Sequence, residues 1–226
     1  MNYRTHTAQA TTLFLELARD GDLSTPVGSC PGWTVADLVG HLGTVQRFHG
    51  ANLLRGVTTP PTDPRPTPPD AELIEWAQAS LDILLANLDQ VGDDRPAWNF
   101  LGQPPTTAFW HRRMALEATM HRWDMQQARG VDLGLDHALA VDGIDEVLTA
   151  FVPGRRRGDE PEGTVTVTLT DNDHTWTVTN GDGDAARAAV TGPAEQVWLR
   201  LWGRVPLDAV EVVGDRDLAA AMDAGR

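Results

Sequence analysis

Residues 107–130 read TAFWHRRMALEATMHRWDMQQARG. No proline or glycine interrupts the run before Gly130, a residue suited to the left-handed turn that ends a helix. The expectation is one helix from about Thr107 to Arg129. On it Glu117 and His121 stand four apart and share a face. A carboxylate and an imidazole so placed can grip one ion together, as the two histidines of an HExxH helix do.

A third ligand has to come from another element. His41, in ADLVGHLGTV, is the best candidate, because it interrupts an apolar stripe formed by Leu38, Leu42, Val45 and Phe48. A polar group on such a face costs roughly 1–3 kcal/mol unless it finds a partner. Two imidazoles and one carboxylate would leave coordination positions open, which a metal needs for chemistry. The residues alone also allow a plainer outcome, a solvated Glu–His hydrogen bond and a satisfied core histidine. His49, two turns after His41, is read as a fourth ligand or a pocket wall. His111 points elsewhere, and His6, His137 and His174 are read as surface residues. Asp124, three after His121, is either an acceptor for its second N–H or half of a surface salt bridge. Trp33, Trp110 and Trp123 are read as core or pocket wall, and Cys30 as a small buried residue.

Outward from this pair, the first 130 residues carry four helical patterns. The first places Ala10, Leu13, Phe14 and Leu17 on one face and stops near Asp20-Gly21. The second opens at Thr34, with Asp37 three later as a capping box. The third, opened by Asp70, buries Leu73, Ala77, Leu81, Leu84, Leu85 and Leu88. The stretches RGVTTPPTDPRPTPPD (55–70) and GDDRPAWNFLGQPP (92–105) are too rich in proline or turn residues for helix. Four helices so linked predict an antiparallel bundle. The pattern then changes. Residues 138–151 read as a helix, and 164–180 alternate at period two around Asp171-Asn172-Asp173, a hairpin signal. AARAAV (185–190) reads as a short strand. GPAEQVWLRLWG is a helix with Pro193 in its first turn, LDAVEVVG (207–214) a strand and DRDLAAAM a closing helix. The fold class is α+β, a helical bundle over 1–135 and a small α+β domain over 136–226.

The composition narrows the chemistry. The 226 residues carry a net charge of −14, so no nucleic-acid partner is expected. Every basic side chain is Arg, which removes lysine Schiff bases and P-loop lysines. With one cysteine no intrachain disulfide forms, and thiol chemistry would need Cys30 or an external thiol. No apolar run is long enough to span a membrane, and the N-terminus reads as a helix rather than a signal peptide. A cytoplasmic monomer is expected.

SCPGWTVADLVGHLGTV (29–45) with MALEATMHRWDMQQA (114–128) resembles the mycothiol-dependent maleylpyruvate isomerase family, part of the DinB-like group of metal-binding four-helix bundles. VWLRLWGRVPLDAVEVVGDRDLAAAM (197–222) looks like that family's small C-terminal α+β domain. The resemblance implies a divalent metal, usually zinc, held by His41, Glu117 and His121, and mycothiol as a thiol cofactor. One departure is Leu116, where relatives often carry His beside the ligand Glu. The implied reaction is thiol addition to an activated cis double bond, rotation, and loss of the thiol. A dicarboxylate substrate such as maleylpyruvate would need cationic anchors, for which Arg204 comes first and Arg113 second. The Arg155–Arg157 triplet, beside Asp159, Glu160 and Glu162, reads as an exposed, self-neutralised turn. Rival readings are a mycothiol S-transferase, a metal-dependent hydrolase, a non-haem iron site on the same ligands, and a binding module without catalysis.

Overall fold

Thr34 starts the helix that carries His41. Its hydroxyl accepts from the Asp37 amide, and the Asp37 carboxylate accepts from the Thr34 amide, so two end donors of α2 (Val35–Leu53) are satisfied reciprocally. The computed structural model describes residues 1–69, 71–154 and 160–224. They fall into two compact units, Met1–Leu133 and Gly134–Arg226. The Asp70 cap and the Arg155–Arg157 turn expected from the sequence lie outside the described residues.

The first unit is built from α1 (Tyr3–Arg19), α2, α3 (Leu73–Leu88) and α4 (Thr107–Arg129). α1 packs on α4 and α2 on α3. Gly130 ends α4 at φ +66°, the left-handed conformation its sequence position called for. On α1 the most buried apolar residues are Phe14, Leu15 and Ala18, whereas Leu13 and Leu17 are half-buried. The inner face is thus turned from the expected one, because α1 meets both α4 and α3. One core cluster joins Phe14, Leu15, Leu38, Leu42, Ala77 and Met125; another joins Val45, Leu53, Leu84, Leu88, Trp110 and Met114. Each large side chain buried this way contributes about 1.5–3 kcal/mol.

The bundle has a specific chain direction. Arg129, at the end of α4, donates to the carbonyls of Leu17 and Ala18 at the end of α1, so these two run parallel. A Cβ on Gly43 would meet the Trp76 ring at 2.5 Å, and one on Gly50 would meet Leu84 Cα at 3.2 Å, so α2 and α3 also run parallel and very close. The two pairs are antiparallel to each other, as His41 facing Glu117 and His49 facing Trp110 require. Two parallel neighbours need a return path of about one helix length, roughly 28 Å for α2. Residues 54–69 are enough to supply it, since extended chain covers about 3.1 Å per residue. The link runs back along α2. Arg65 lies 5.3 Å from the Phe48 ring centroid, Thr44 donates to the Pro66 carbonyl, and Pro68 sits over Gly40.

The second unit begins with α5 (His137–Glu146), continues through a π-helical stretch Val147–Phe151 and ends in the single turn α6 (Val152–Gly154). A four-stranded sheet follows, in the order β2-β1-β3-β4, from β1 (Gly163–Leu169), β2 (Thr175–Asn180), β3 (Arg187–Gly192) and β4 (Glu211–Gly214). β1 pairs antiparallel with β2, with Val165 opposite Val178, and parallel with β3, with Val167 opposite Val190. Val165, Val167 and Leu169 are buried and the threonines between them are not, the alternation read from the sequence. α7 (Ala194–Leu201) packs on α5, where Trp198 fills the space a side chain at Gly143 would need. Pro193 is the residue before α7 rather than in its first turn. The strand expected over 207–214 is shorter: Leu207–Ala209 is a 3₁₀ turn started by Pro206, and only Glu211–Gly214 pairs with β3. α8 (Arg216–Ala220), capped by Asp215, closes the unit.

Candidate metal centre

α2 and α4 bring His41, Glu117 and His121 together. His41 Nε2 and His121 Nε2 each lie 3.2 Å from Glu117 Oε1, and one ligand atom from each of the three residues fits within a 4.8 Å group. A tetrahedral ion with bonds of about 2.0–2.1 Å holds its ligand atoms about 3.3 Å apart. The two imidazole–carboxylate distances are compatible with a divalent cation such as zinc, and two imidazoles with a carboxylate also suit non-haem iron. The His41 side chain is 30% exposed, against 17% for Glu117 and 7% for His121, so the cluster opens to solvent on the His41 side.

His121 Nδ1 donates to Asp124 Oδ2 at 2.9 Å, and Asp124 is fully buried. This fixes the ring and reserves Nε2 for the cluster. Cys30 Sγ lies 3.5 Å from the same Asp124 oxygen, tying the loop before α2 to α4. Burial alone would lower the His121 pKa, but Glu117 and Asp124 together lift it to about 9. Burial would raise the Glu117 pKa, yet Arg113, then His121 and His41, hold it well below the usual carboxylate range. The carboxylate is ionised and ready to meet a cation. Trp33, half-buried at the end of the Cys30-Pro31-Gly32 turn, has its ring centroid 4.9 Å from that of His41 and 6.5 Å, stacked, from His121.

The other sequence candidates separate. Arg113 donates to Glu117 Oε2 at 2.6 Å and is 3% exposed, so it faces the ligand carboxylate. Arg204 belongs to the second unit, where its guanidinium donates to the Trp202 carbonyl. Among the described residues two groups could hold an ion, His41–Glu117–His121 and Cys30–His121–Asp124, and His49 is in neither. It is buried against Trp110, with ring centroids 3.8 Å apart, and burial pulls its pKa down to about 3. Trp110 and Trp123 are core residues. Sequence reasoning missed the Cys30–Asp124 contact and the role of Arg113 on Glu117. The spacing of four between Arg113 and Glu117 carried the second signal; nothing local carried the first.

Comparisons with known proteins bear on the fold and the family. Crystal structures of the mycothiol-dependent maleylpyruvate isomerase and of its histidine-to-alanine mutant are each 13% identical to the chain, with TM-scores of 0.69 and 0.70. Both comparisons cover 93% of this chain and 91% of the other. At that identity the likeness establishes the fold. No curated protein sequence matches. The family model described as the mycothiol maleylpyruvate isomerase N-terminal domain matches residues 4–126, and the MDMPI C-terminal domain model matches 138–221. With both models matched in order over most of its length, the chain belongs to the mycothiol maleylpyruvate isomerase family.

Proposed function

We propose that this chain is a metal- and mycothiol-dependent isomerase acting on a cis-unsaturated oxo acid such as maleylpyruvate, the compound named for the two similar structures. The observation that carries the reading is the convergence of His41, Glu117 and His121 from two helices onto one point. These three residues would hold the metal. When bound, it supplies a positive charge that keeps a coordinated thiol deprotonated at neutral pH. A mycothiol bound beside this cluster would supply reversible thiolate addition to the alkene, which would free the former double bond to rotate and return the thiol unchanged. No atom or electron is left over.

The chain's own residues set the conditions for this. Asp124 holds the His121 ring so that Nε2 faces the cation. Arg113 keeps Glu117 ionised and orients its second oxygen. Trp33 packs beside both imidazoles and helps fix their orientation. Arg204, in the second unit, is kept as a proposed carboxylate-binding residue on the chemistry of its planar fork alone.

The test joins elemental analysis to product mass. Purified protein is expected to hold one equivalent of metal, and with mycothiol it should convert maleylpyruvate to its trans isomer with no change in mass. Accumulation of a stable thiol adduct would instead make it an S-transferase. Thiol-independent turnover with the mass of one added water would make it a hydrolase, and loss of metal at neutral pH would leave a binding module.

A further inference from the structure

A groove of about 710 Å³ runs along α2 beside His41. Its walls are Trp33, Gly40, Thr44, Pro68, Pro69 and Leu73. Pro68 and Pro69 of the return link, with Leu73, form one side and the turn before α2 the other. His41 and Trp33 are common to this groove and to the ligand cluster. What lies in the groove therefore lies against the reacting centre.

The polar groups of the groove are mostly committed to the protein. Thr44 donates to the Pro66 carbonyl, and the Asp37 carboxylate accepts from the Thr34 amide and hydroxyl. Among the described lining residues Asp37 is the one carboxylate, and no Arg is present. A carboxylate seated in the groove away from the ligand cluster would meet the Asp37 charge and no cationic side chain among the described lining residues. A flat uncharged group would instead stack on the indole and displace water from proline and leucine surface.

We propose that this groove binds the non-reacting arm of the substrate, and that this arm is planar and uncharged, an aryl or acyl group rather than a second carboxylate. The proposal rests on the isomerase reading for the reaction at the cis-enoate end. It departs from maleylpyruvate only in the other arm.

Binding separates the two ideas. Benzoylpropionate and succinylpyruvate are saturated and share the oxo-acid end, but one carries a phenyl arm and the other a carboxylate arm. Calorimetry on the metal-loaded protein should give at least tenfold tighter binding of benzoylpropionate. Trp33→Ala should remove that preference while metal content stays at one equivalent, and Trp33→Phe should keep most of it. Ala36→Arg, which adds a cation to the lining, should shift the preference toward succinylpyruvate. Equal or tighter binding of succinylpyruvate by the unaltered protein, or an unchanged preference in Trp33→Ala, overturns the assignment. Turnover of cis-benzoylacrylate and maleylpyruvate with mycothiol then addresses the isomerase reading by itself. If both bind and neither is isomerised, that reading fails while the groove keeps its occupant.

Discussion

His121 carries the largest local consequences. Its replacement by Ala should abolish metal retention, whereas Arg204→Ala should leave the metal in place; elemental analysis of both variants checks this. Asp124→Ala should keep the metal but weaken it about 10–100-fold, the usual cost of losing an acceptor behind a ligand imidazole, as read by competition with a chelator. The two perturbed histidines give the metal-free protein opposite pH responses. His121 is raised from 6.5 to about 9, so its contribution to stability is complete below pH 6.5 and is lost as pH rises toward 9. His49 is lowered from 6.5 to about 3, so its contribution is complete above pH 6.5 and is lost as pH falls toward 3. Urea midpoints of the metal-free protein should therefore decline on both sides of pH 6.5, and His49→Phe should flatten the acid side. Metal affinity should rise with pH up to about 9, because binding displaces the His121 proton.

Among the elements, α2 is the most constrained, since it faces α3 through glycines and α4 through the cluster. Gly43→Ala places a methyl group 2.5 Å from Trp76 and 3.3 Å from the Ala77 backbone, so α3 must shift. A loss of about 1–3 kcal/mol in denaturant unfolding is expected, together with weaker metal binding as His41 moves relative to Glu117. How far the sequence disclosed these elements depended on how local their causes are. The capping box at Thr34, the stop at Gly130 and the hairpin around residues 171–173 follow from neighbours in the chain, and all three were legible. The parallel pairing of α2 with α3 was not, because a proline-rich link gives its length but not the direction in which it returns. The π-helical stretch after Glu146 and the short β4 escaped for a related reason: packing and a 3₁₀ turn override the local pattern there. The three clustered residues were readable because helical spacing fixes two of them. The Cys30–Asp124 contact joins segments 94 positions apart, and no periodicity reports such a pair.

Across the whole chain, the three proposed ligands belong to the first unit alone, so metal should act unevenly on stability. A ligand present at about a thousand times its Kd adds about 4 kcal/mol to the unit that binds it. Hydrogen exchange with and without chelator should show amides of residues 1–133 losing protection, with those of 134–224 little changed; equal loss in both would contradict this. No helix among the described residues is long and apolar enough to cross a membrane. The overhand return between α2 and α3 has a wider consequence. It walls the groove yet supplies none of the clustered residues, and lengthening such a connection costs only about 0.6 kcal/mol per doubling. Insertions or deletions between residues 54 and 72 can thus reshape what is recognised while the reacting centre stays as it is. A lineage with this architecture can diversify its chemistry's targets by editing one strap.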